Sequence, residues 1–265
     1  MNILSNWNSL IDTVVSYRKQ LLDDESVTNT VESLHKCRTA IRRIQTVVWL
    51  SKKLGHEIPL IKPLKVFFSL TSDIRDLDLL INWLKGNNDS DSKILTAALL
   101  PHCALAKINA KEYLLRKIDD SYLNNLRLWA TSTKEEHDIN AVAKSLKIDA
   151  FLILENFKEI SGEIFLSDDA LLHSFRKEIK KIRYGYELLR TEGFEDLHIG
   201  FKELQDKLGA VQDAVAWKQW LKIISADESN KIKLIEEMYL KAKTELAEFL
   251  GKEFRSINKA LNYDL

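Results

Sequence analysis

Chain breakers are nearly missing from this sequence. Eight glycines and three prolines serve 265 residues, whereas a strand-rich fold calls for a turn about every 8–12 residues. Apolar residues recur instead at the i, i+3, i+4, i+7 spacing of an amphipathic helix along almost the whole chain. The fold must therefore be all-α and built from long helices. Apolar residues at 45% and charged residues at 29% give each helix a core face and a solvated face. The periodicity predicts helices over 3–22, 27–54, 60–86 and 91–118, a less regular stretch over 119–136, and further helices over 138–160, 168–191, 198–223 and 228–260. Gly55 is expected to stop the second helix, with Pro59 and Pro63 near the start of the third. Residues 86–91 read as a loop of turn formers and caps, Ser167-Asp168-Asp169 as a helix cap, and Gly193 and Gly200 as brackets of a loop.

Four helices, a connector and four more helices point to an internal duplication, and particular residues support it. His35, Arg38, Arg42, Arg43 and Ile44 match His173, Arg176, Lys180, Lys181 and Ile182 at an offset of 138 (His35 to His173). Further on, Ser72-Asp73-Ile74-Arg75-Asp76 lines up with Gly209-Ala210-Val211-Gln212-Asp213, and Lys65 with Lys202, at an offset of 137 (Asp76 to Asp213). One residue of loop difference reconciles the two offsets. The expected architecture is two four-helix bundles of long antiparallel helices related by a pseudo-twofold axis, with halves at 1–130 and 131–265.

Each half carries a helix with a basic row. At about 100° per residue, His35, Arg38 and Arg42 share one sector with Thr46 and Trp49, beside an apolar arc of Leu34, Cys37, Ile41, Ile44 and Val48. The second row repeats this: His173, Arg176, Lys180 and Tyr184 lie beside Leu172, Phe175, Ile179, Ile182 and Tyr186. Arg43 and Lys181 stand on the other flank. Residues 35–46 hold four Lys or Arg and no acid; residues 173–184 hold five and one acid. Four like charges on three turns oppose folding by repulsion unless an anion arrives. His35 to Arg42 spans about 10 Å along the axis, which suits an extended chain of phosphates. Arginine offers a rigid fork of donors to phosphate oxygens and lysine a compact charge. Histidine gains charge on acidification, and a bound anion favours that form, so binding should strengthen below about pH 7. A solvated face has no reason to repeat so strict a spacing.

Other readings are narrowed by what the chain lacks. Net charge is zero, from 39 basic and 39 acidic side chains, which argues against nucleic-acid binding by overall charge. Cys37 and Cys103 form no framework and are expected as buried free thiols in a reducing, cytoplasmic setting. The N-terminus does not read as a signal peptide, and no apolar run reaches membrane length. Glu32 and His35 have di-metal spacing, but the duplicate has Ala170 in place of the carboxylate, so neither metal nor cofactor is expected. Gly-rich phosphate loops and nucleophile–base spacings are absent, and no enzyme is expected. Asp76 and Asp213 are expected to fix basic neighbours, and His56, His102, His137 and His198 to be structural.

The His35-x-x-Arg38-x-x-x-Arg42-Arg43 helix, the Ile74-Arg75-Asp76-Leu77-Asp78 segment, the His173-x-x-Arg176-x-x-x-Lys180-Lys181-Ile182-Arg183-Tyr184 helix, and Leu204-Gln205-Asp206-Lys207-Leu208-Gly209 followed by Asp213 together resemble a CHAD domain, the conserved histidine α-helical domain. The resemblance spans nearly the whole chain and implies a single stand-alone domain over 1–265. It further implies non-catalytic binding of inorganic polyphosphate along a basic surface or channel, and association with cytoplasmic polyphosphate granules. By position it implies His35, Arg38, Arg42, Arg43, Arg75, His173, Arg176, Lys180, Lys181 and Arg183 as ligand residues, with Lys65 and Lys202 added from their equivalence. Two departures stand out: Ser72 where a glycine is usual, and Gln45 opposite Arg183. The competing readings are a nucleic-acid binder, using the rows for a phosphodiester backbone with Trp49 and Tyr184 as stacking platforms, and an enzyme acting on polyphosphate or a nucleotide.

Overall fold

A computed structural model describes residues 4, 6–23, 30–133, 139–159, 166–189, 195–224 and 230–252. Among them the chain is all-helical, without strands. The helices are α1 (Trp7–Asp23), α2 (Thr30–Lys53), α3 (Lys62–Asn87), α4 (Ser90–Lys117), α5 (Asp120–Ser132), α6 (Ile139–Glu159), α7 (Asp169–Leu189), α8 (Glu195–Ile223) and α9 (Asn230–Lys252). The chain divides into two compact units, Met1–His137 and Asp138–Leu265, a boundary slightly beyond the 130/131 division drawn from sequence. Predicted helical ends at 3, 27–29, 160, 190–191, 228–229 and 253–260 lie outside the described residues, as do Gly193, His137 and the side chain of His198. No described helix is long and apolar enough to cross a membrane.

Local chemistry sets the boundaries. Gly55 has φ +81° just after α2, the left-handed conformation expected of a helix stop. Pro63 lies in the first turn of α3, where its missing N–H costs nothing. Asp168 accepts from Ala170 N at 2.8 Å and Leu171 N at 3.1 Å, capping α7. Two expectations shift. The loop assigned to 86–91 shrinks to Asn88 and Asp89, because α3 runs on through Gly86 and closes on left-handed Asn88. Gly200 lies inside α8 rather than bounding a loop, since that helix already starts at Glu195.

The larger correction is the stretch 119–136. Its turn formers are caps at the two ends of a real helix. Asp119 accepts from Tyr122 N at 2.7 Å, and Leu123 and Leu126 bury themselves between those ends. The first unit therefore holds five described helices rather than four. α5 packs on α1 and clasps the α2–α3 connection: Trp129 Nε1 donates to Glu57 O and Tyr122 OH to Leu60 O, each at 2.9 Å. Trp7 is buried beneath it, donating to Leu126 O at 2.8 Å, with its ring 4.7 Å from that of Trp129. Each such bond contributes about 1 kcal/mol net and would cost more if broken. The clasp fixes where α3 begins, and so where α3 meets α2.

In the first unit α1 packs on α2, α2 on α3 and α3 on α4; in the second α6 packs on α7, α7 on α8 and α8 on α9. The predicted apolar arcs of both basic helices are buried in full: Leu34, Cys37, Ile41, Ile44 and Val48 on α2, and Leu172, Phe175, Ile179, Ile182 and Tyr186 on α7. Gly185 lets α6 come close, since a Cβ there would lie 2.9 Å from both Cδ atoms of the buried Leu146. The start of α7 is tied to α9, where Tyr239 OH donates to Asp169 Oδ1 at 2.7 Å and Lys243 Nζ lies 3.0 Å from the same oxygen. Cys37 and Cys103 are buried free thiols, and burial pushes Cys37 up to about 12.

Candidate basic site

Each basic row lies along the seam between its helix and the next one. In the first unit that seam is α2 against α3. Arg38 is buried there, contrary to a simple ligand-facing placement. Its Nη1 donates to Phe68 O at 2.7 Å and to the Thr71 hydroxyl, and its Nη2 to Ser72 Oγ at 3.4 Å. Its guanidinium carbon lies 4.1 Å from the centroid of the Phe68 ring, and that of Arg42 lies 5.2 Å from the same centroid. Burial, then the charges of Arg42 and Arg75, push the Arg38 guanidinium down to about 10, with Asp76 and Cys37 opposing. It stays cationic at neutral pH, beside Arg42 over the same ring.

Arg75 is half-exposed and holds Asp76 Oδ1 at 3.1 Å, in keeping with the anchoring role expected of that aspartate. Arg42 and Arg43 are half-buried. His35 is exposed, and Lys65 is exposed on α3. His35 and Lys65 are thus not drawn into the seam with Arg38, Arg42 and Arg75.

The second seam is α7 against α8. His173 Nδ1 and Gln212 Oε1 are hydrogen-bonded at 2.7 Å, which orients the ring. Arg176 is half-buried, with Nη2 only 3.3 Å from where a Cβ on Gly209 would stand. Glycine there leaves room for the guanidinium. Arg183 donates from Nε to Gln205 Oε1 at 3.0 Å, and its guanidinium carbon lies 4.2 Å over the Tyr184 ring. Lys180 is half-buried and Lys202 exposed. Lys181 is exposed and bonded to Glu178 at 2.6 Å.

Acids stand beside the rows: Lys181 pairs with Glu178, Arg75 with Asp76, and Arg183 approaches Glu187 at 3.8 Å. One expectation needs revision. Tyr184 is buried under Arg183, so it offers no open platform for a base. Trp49 is half-exposed, with Lys53 Nζ 5.3 Å from its ring.

Phe68, Thr71, Gln205 and Gln212 escaped the reading of the sequence. The offset of 137 could have found the glutamines, since they stand at the positions of Phe68 and Arg75. The same offset pairs Trp83-Leu84-Lys85 with Trp220-Leu221-Lys222. Leu84 and Leu221 are both fully buried and both tryptophans half-exposed.

Comparison with known proteins agrees on one family. The model of the CHAD domain matches residues 11–222. A crystal structure of the CHAD domain from the plant Ricinus communis is similar to this chain, with a TM-score of 0.69 at 15% identity, covering 97% of this chain and 89% of that one. No curated protein matches.

Proposed function

The chain belongs to the CHAD domain family, and from that premise we propose that it binds inorganic polyphosphate, without turning it over, through the basic rows of α2 and α7. The observation that carries the reading is the gathering of arginines on the α2–α3 seam, where Arg38 and Arg42 share the Phe68 ring and Arg75 stands on α3. Like charges held by packing in a half-desolvated seam are a standing cost that an anion relieves. An extended polyanion relieves it along the whole row.

In this reading the residues divide by role. Arg42, Arg43, Arg75, Arg176, Lys180 and Arg183 meet phosphate oxygens. Arg38 sets the frame from inside the seam. Lys65 and Lys202 add exposed charge nearby, and Lys181 is a flank residue held by Glu178. His35 flanks the first row from an exposed position and His173 opens the second, bonded to Gln212. Neither metal nor cofactor takes part. The two units are duplicates within one domain, supported by three blocks of matched residues and by the equivalent positions of Ser72 against Arg38 and Gly209 against Arg176.

Filter-binding competition tests the ligand. Long-chain polyphosphate should displace single-stranded RNA at equal phosphate concentration, and not the reverse. RNA displacing polyphosphate would transfer the rows to nucleic acid. Phosphate release by purified protein with a divalent metal would show an enzyme instead.

A further inference from the structure

We propose that Phe68 is a positioning and specificity-determining residue of the first row, an aromatic seat shared by the buried guanidinium of Arg38 and that of Arg42, which places Arg42 so that its in-plane N–H edges meet phosphate while one of its faces is withheld from bases. The inference rests on the polyphosphate reading of the rows.

The geometry carries it. Both guanidinium carbons lie within reach of one ring, at 4.1 Å and 5.2 Å from its centroid. An aromatic face is electronegative, so it attracts each cation and offsets part of their mutual repulsion. Phe68 is half-buried, while its neighbour Phe67 is fully buried, facing Tyr17 across the core with 6.2 Å between ring centroids. Two adjacent phenylalanines thus serve two faces of α3, one for the core and one for the seam. Arg38 is also bonded to the Phe68 carbonyl, so ring and backbone of one residue fix the same guanidinium.

The consequence is chemical selection. A guanidinium recognises phosphate through N–H donors in its plane and recognises a nucleobase by stacking on its face. Seating one face of Arg42 on Phe68 keeps the first mode and obstructs the second on that side. The second unit has Gln205 at the matched position, where its amide accepts from Arg183. The double seat is therefore a property of the first row.

The test uses the full chain with Phe68→Leu, which keeps apolar bulk, and Phe68→Tyr, which keeps the ring. Two probes are compared, long-chain polyphosphate and an oligouridylate of equal phosphate content. Phe68→Leu should weaken polyphosphate binding by about 5- to 10-fold while oligouridylate binding stays within about 2-fold or tightens, and Phe68→Tyr should stay within about 2-fold for both. The salt dependence should keep its slope in Phe68→Leu, because no cation is removed. Equal losses for both probes, or wild-type behaviour of Phe68→Leu, would overturn the seat. A separate readout needs no ligand: the Arg38 and Arg42 Nε–Hε resonances should lose their ring-current shifts in Phe68→Leu and keep them in Phe68→Tyr. Should the wild type bind neither probe, the polyphosphate reading falls, and unchanged resonances in Phe68→Leu would overturn the seat as well.

Discussion

The α2 row and the α7 row share a motif and differ in how they are held. On α2 the first arginine is buried and bound to α3 through Phe68, Thr71 and Ser72. On α7 its counterpart, Arg176, keeps partial exposure above Gly209, and the bracing passes to His173–Gln212 and Arg183–Gln205. A cation has also changed helix. The first unit has Gln45 on the row and Arg75 across the seam; the second has Arg183 on the row and Gln212 across it. Each seam keeps one arginine and one glutamine at these two places. A basic row can thus be built with its rigidity from either side of a helix pair. The first row buries its arginine, and the second leaves its counterpart half-exposed.

The largest effect should come from breaking the first brace. Arg38→Ala removes the charged donor shared by Phe68 O and the Thr71 hydroxyl in a buried seam, where Phe68 O keeps only the Thr71 and Ser72 hydroxyls as side-chain donors, and should cost about 2–3 kcal/mol by urea denaturation. Arg176→Ala, half-buried, should cost about 1 kcal/mol or less. Equal losses would break the comparison. Next, Gly185→Val writes the first unit's Val47 into the second row. Its Cβ would meet Leu146 at 2.9 Å, and overpacking of that kind should cost about 1–3 kcal/mol in the same assay. Gly209→Ser copies Ser72 into the second seam. Arg176 can swing aside at little stability cost, so folding should change by under about 0.5 kcal/mol, while calorimetric titration with polyphosphate should show a loss of about 3-fold or more. The smallest effect concerns the histidines: His173→Gln, which loses the bond to Gln212 across the seam, should weaken polyphosphate binding in the same titration by more than His35→Gln, which changes an exposed side chain.

Helix existence and the core arcs were legible because period and burial are the same fact seen twice: the arc from Leu34 to Val48 is the buried face of α2. The matched rows were legible because the offset is constant. What misled was chemistry with two uses. Asp119 and Thr133 look like loop residues, yet here they cap the two ends of α5. Arg38 looks like a ligand residue by spacing. Its burial depends on Thr71 and Ser72, which arrive from another helix and leave no mark on the wheel. Tyr184 shares the sector of the row and is nonetheless covered, because Arg183 folds over it.

The proposal that each basic row holds a stretch of polyanion is tested most directly by isothermal titration of long-chain polyphosphate into wild type and into the double variant Arg42→Glu/Lys180→Glu, with helicity followed by circular dichroism. Binding should fall by about 100-fold or more while helicity is kept, and its salt dependence should flatten with the lost cations. Undiminished binding in a folded double variant would contradict the account.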